Sequence, residues 1–87
     1  MSATIRRLRL TWAEEQVLRR IAQAAPDGGR VVVSALADKA HVSRSAAINA
    51  LRKAAVGGVV DARNLGSKGT YIAVLDADAW AEIGRSA

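Results

Sequence analysis

The sequence predicts a small, mainly α-helical α+β domain, and three observations carry that prediction. A capping box opens a helix with an aliphatic stripe at helical spacing. Two serine-capped helical segments follow, joined by a tight turn. Two β-branched runs then flank a glycine-rich turn with a lysine at its tip.

The elements follow in order. Thr11-x-x-Glu14 has the capping-box pattern, in which the hydroxyl accepts from the backbone three residues on and the glutamate reaches back. Behind it, Val17, Leu18, Ile21, Ala22 and Ala25 recur at helical spacing, while Glu14, Glu15, Arg19 and Arg20 read as a solvated face. Pro26-Asp27-Gly28-Gly29 stops this helix. Arg30-Val31-Val32-Val33 reads as one brief strand. Ser34 offers an N-cap to a two-turn helix over 35–40, with Leu36 turned inward. His41-Val42 interrupts it, Ser43 is a second N-cap, and a longer helix over 44–55 ends at Gly57-Gly58. The runs 59–63 and 70–75 form a hairpin around Asn64-Leu65-Gly66-Ser67-Lys68-Gly69. Asp76 or Asp78 caps a last short helix, from which Trp80 and Ile83 pack back on the body. This is the order of a winged helix-turn-helix: a three-helix core, a C-terminal β-hairpin wing and a short final helix.

Ahead of Thr11, Arg6, Arg7 and Arg9 interleave with Ile5, Leu8 and Leu10. Residues 1–10 are therefore expected to be a basic arm on DNA, a dimerisation strand or the remnant of a linker, with the domain proper in residues 11–87. The chain's 87 residues suffice for one domain, and its core must be aliphatic, since Trp12, Tyr71 and Trp80 are its only aromatics. All three aromatics are expected to be packing residues.

Composition removes several function classes. Without cysteine there is no disulfide, thiolate zinc site or cysteine nucleophile. No apolar run approaches the ~18 residues of a membrane span, and no signal peptide opens the chain, so a cytoplasmic, nucleoid-associated protein is expected. His41 stands alone in the helix-to-helix turn and is no metal site. Gly66-Ser67-Lys68-Gly69-Thr70 has the wrong order for a phosphate loop and is not followed by a helix. The acids are scattered and no nucleophile has a base at workable spacing, so neither an enzyme nor a cofactor is expected. A net charge of +5 instead favours a polyanionic partner.

The longer helix sharpens this. At ~100° per residue, Ala47, Leu51 and Ala54 fall together as a buried stripe flanked by Ala50 and Ala55. Ser45, Asn49 and Arg52 share another face, bordered by Lys53 and Ile48. Arginine donates twice to guanine, asparagine pairs with the adenine edge, and serine serves base or phosphate. Arg63 and Lys68 add a second basic element on the hairpin, and Gly66 and Gly69 allow its tip a tight turn. The expected DNA-binding residues are Ser43, Arg44, Ser45, Asn49, Arg52, Lys53, Arg63 and Lys68, with helix 44–55 in the major groove and wing 64–69 on the backbone or minor groove of double-stranded DNA. The alternative is a winged-helix protein-interaction module without DNA specificity, since one scaffold serves both roles.

Between Ser34 and Leu75 the sequence resembles the C-terminal DNA-binding domain of the CodY family of global transcriptional repressors. The matching residues are Ser34, Ala37, Asp38, Arg44-Ser45, Asn49-Ala50-Leu51-Arg52-Lys53 and, through the wing, Arg63-x-Leu65-Gly66-x-Lys68-Gly69-Thr70-Tyr71-Ile72. The resemblance implies that Arg44, Ser45, Asn49 and Arg52 face the duplex, that Ala37 makes a tight helix-to-helix contact, and that a homodimer binds AT-rich, partly palindromic sites. The family's metabolite-sensing domain has no counterpart in this chain, so no small-molecule effector is implied, whether the chain is a free-standing relative or an excised domain. Ala46, Ala47 and Ala54 stand where the family has larger apolar residues.

Overall fold

The computed structural model describes residues 3–85, which form five helices and a three-stranded antiparallel sheet. The elements are α1 (Ala3–Leu8), α2 (Trp12–Ala24), β1 (Gly29–Val31), α3 (Val33–Lys39), α4 (Arg44–Val56), β2 (Val60–Asn64), β3 (Thr70–Val74) and α5 (Ala77–Arg85). Among the described residues no helix is long and apolar enough to cross a membrane.

The capping box at the start of α2 is complete. Thr11 Oγ1 accepts from Glu14 N at 3.2 Å, and Glu14 Oε1 accepts from Thr11 N at 2.8 Å. Val17, Leu18 and Ile21 of α2 are fully buried against the alanine stripe of α4, formed by Ala47, Ala50 and Ala54 together with Leu51. Small side chains on α4 let the two helices approach closely, and each fully buried valine, leucine or isoleucine contributes about 1.5–3 kcal/mol relative to exposure. Trp80 of α5 is fully buried, and its indole N–H, which would otherwise be stranded in the core, donates to Ala25 O at 2.8 Å. Asp76 caps α5 by accepting from Ala79 N at 3.1 Å. The fold is the winged helix-turn-helix that the element order predicts.

Several local expectations are corrected. Residues 3–8 are helical rather than extended, which excludes a dimerisation strand there. Ile5 and Leu8 belong to the core, and Thr4 Oγ1 donates to Glu82 on α5 at 2.8 Å. The boundary expected at residue 10 therefore separates no arm from a body; Met1, Ser2, Ser86 and Ala87 lie outside the described residues. Ser34 is not an N-cap, because the chain passes from β1 directly into α3 through Val32, whose side chain makes no capping bond. Trp12 is 71% exposed, since at ~100° per residue it stands about 150° from the centre of the α2 stripe. Tyr71 is 48% exposed because it alternates with the buried Ile72.

Glu14 is not part of a solvated face. It is 5% exposed, and the same helical arithmetic puts it on the buried stripe of α2. The brief strand read over 30–33 is β1 at Gly29–Val31, since Val33 already belongs to α3, and it joins the wing as an edge strand, in the order β1-β3-β2. Val31 pairs with Thr70 and Arg30 with Tyr71. The approach is close enough that a Cβ on Gly69 would lie 2.6 Å from Val31 O, so glycine is required at the wing's return.

Candidate nucleic-acid interface

Helix α4 begins where the sequence places it. Ser43 Oγ accepts from Ala46 N at 3.1 Å, so this hydroxyl fixes the start of the helix. Before it, His41 adopts a left-handed φ of +58°, which turns the chain between α3 and α4. Ala37, 1% exposed, is on the buried face of α3. At the other end Gly58, with φ +76°, leads the chain out towards β2.

The outward side of α4 carries two ridges of residues spaced four apart. One holds Arg44, Ile48 and Arg52, all exposed; the other holds Ser45, exposed, and Asn49, partly so. Arg52 Nη1 donates to Asn49 Oδ1 at 3.3 Å, which ties the two ridges together at the surface. The first ridge faces the wing across a groove of about 360 Å³, whose floor includes Val33, Leu51, Ala55 and Ala62, with Asn64 and Thr70 on its far side. No acidic residue occurs between Arg44 and Val60 or between Ala62 and Leu75.

The wing tip is a 3-10 turn, Gly66–Lys68. Asn64 Oδ1 accepts from Gly66 N at 2.8 Å and Leu65 N donates to Gly69 O at 2.8 Å, so the turn is closed by its own residues. Lys68 stays exposed there. A second cleft, lined by Ser34, Arg44, Asn64, Gly66 and Ser67 among others, makes the start of α4 and the wing tip neighbours.

Two expected residues stand elsewhere. Arg63 pairs with Tyr71, which in turn pairs with Arg30, so the three form a row across the sheet. Strand alternation puts that row on the face opposite Ala62 and Ile72, away from the α4 groove. Lys53, next to Arg52 in sequence, turns to the other side of α4. Its ammonium donates to Glu14 Oε1 at 2.6 Å and to Arg9 O at 3.1 Å. Burial raises the Glu14 pKa, but the hydrogen bonds and charge of Lys53, with those from Thr11, outweigh it and hold the carboxyl below its usual 4.5. Lys53 thus clamps α4 to α2 and to the α1–α2 turn.

Ile48, expected at the border of the polar face, lies within it, and Glu14, expected in solvent, is buried. Helical spacing was the available signal for both, since Ile48 falls midway between two arginines one turn away on either side. The row Arg30–Tyr71–Arg63 had no such signal, because it depends on a long-range strand pairing. With this geometry in hand, comparison with known families finds one whose model, the CodY helix-turn-helix domain, matches residues 27–85, about two thirds of the chain.

Proposed function

This chain belongs to the CodY helix-turn-helix domain family, whose members bind DNA in transcription regulation, and from that premise we propose that it recognises specific sequences of double-stranded DNA as a repressor. Helix α4 lies in the major groove, with Arg44, Ser45, Asn49 and Arg52 towards base edges and phosphates, while Lys68 meets the flanking backbone or minor groove. The observation that carries this reading is the outward side of α4: two exposed arginines, a serine and an asparagine in a stretch without a single acid, next to an exposed basic wing tip. Ser43 serves by fixing the first turn of α4. Lys53, committed to Glu14, and Arg63, on the sheet's other face, stay outside the groove-reading set. Two copies bind two half-sites as a homodimer. The family assignment does not favour the protein-interaction module.

The test is selection from a pool of random duplexes at two salt concentrations, followed by sequencing. A recovered palindromic motif with steep salt dependence is expected. Salt-sensitive binding without a motif would overturn the claim of sequence specificity, and no binding at low salt would overturn the DNA reading.

A further inference from the structure

We propose that Ile48 reads the C5-methyl group of a thymine, making it a specificity-determining residue at the centre of the α4 face; the inference rests on the DNA-reading function proposed above. Ile48 is 45% exposed although it is large and apolar. It stands on one ridge between Arg44 and Arg52, in the same groove-lining row. Successive positions on that ridge are ~6 Å apart along the helix axis, or roughly two base steps. With both guanidiniums placed on base edges or phosphates, Ile48 faces the base pairs between them.

The chemistry at that point is selective. A β-branched side chain in a helix has essentially one χ1 rotamer, so Ile48 presents a fixed apolar surface. Thymine offers a methyl group to such a surface. Cytosine offers an N4–H donor, and purines offer an N7 acceptor, each of which would lose water against Ile48 without gaining a partner. The residue therefore attracts thymine and disfavours the other three bases, whereas its neighbours Arg44 and Arg52 act through hydrogen bonds. No carboxylate belongs to the groove lining to offer a competing partner.

The experiment starts from the selected duplex and replaces its thymines one at a time with deoxyuridine, which removes only the methyl group. At one position in each half-site the parent chain should lose about fourfold in affinity, the value of one buried methyl group. Ile48→Ala should bind the thymine and uracil duplexes equally at that position. Because Ile48 is exposed and alanine favours helix, this variant should keep the parent's circular dichroism and melting profile. Equal affinity of the parent for every uracil duplex would overturn the inference. So would a uracil penalty that persists in Ile48→Ala, or an Ile48→Ala variant that weakens all duplexes alike and loses dimer formation. A chain that selects no duplex at all would overturn the DNA reading itself, and this assignment with it.

Discussion

Arg52 and Lys53 are adjacent in sequence, carry the same charge and do opposite things. Arg52 projects from the outward side of α4 and has the part-exposed Asn49 amide oxygen as a surface partner. Lys53, one helical step of ~100° away, reaches across to a carboxylate that is 5% exposed and to a backbone carbonyl in the preceding turn. The difference lies in what each face of α4 meets. On one side α2 presents Glu14, whose charge would be costly to bury alone; on the other no acid lines the groove. A basic helix thus divides its cations between holding the fold together and leaving charge available at the surface.

The comparison is tested most severely at Lys53. Lys53→Met leaves Glu14 buried without its cation, and because the lysine is itself part-exposed the expected loss is about 2–3 kcal/mol of folding stability, read by urea unfolding. Adding Glu14→Gln should restore part of it, and failure to do so would show that the pair is not the cause. Arg52→Ala should leave the melting temperature unchanged and instead cost ~1–3 kcal/mol of DNA affinity while relaxing base preference. If Arg52→Ala destabilised the fold and Lys53→Met spared it, the division of labour described here would be reversed.

Acid sharpens the same contrast. The Glu14 carboxyl titrates below its usual 4.5 in the folded chain, so the unfolded chain binds its proton first as pH falls. Its stabilisation is fully present above about 4.5 and is lost as pH drops through the lowered folded value. A pH series of unfolding free energies should therefore fall more steeply in acid for the parent than for Glu14→Gln. The smallest effect is expected at the wing, where Lys68→Ala should weaken binding to all sequences alike and reduce the salt slope by about one. A change in base preference would mean that the wing reads sequence.

Much of this architecture is legible in the sequence because it is local. The caps at Thr11 and Ser43, the alanine stripe of α4 and the turn residues between β2 and β3 act over a few positions, and their chemistry can be read directly. Where long-range contacts decide, the reading fails. Nothing near Lys53 in sequence announces Glu14 as its partner, 39 residues away. Nothing in residues 3–8 says that Ile5 and Leu8 find a core that has yet to be made, so the segment reads as a basic arm. The pairing of β1 with β3, which sets Arg30 beside Tyr71, is likewise invisible until the sheet is assembled. Trp12 and Glu14 are different: their positions on α2 follow from the helical period, and general expectations about residue type overrode it.

The two tryptophans give the molecule an optical division of its own. Trp80 is fully buried and hydrogen-bonded, while Trp12 is 71% exposed. Acrylamide should quench the emission of the second and spare the first, so the folded chain carries one fluorophore that reports on its interior and one that reports on solvent. A Trp12→Phe variant would leave a single blue-shifted emitter, turning α5 into an intrinsic gauge of whether the core is intact while the helix-and-wing face is being altered.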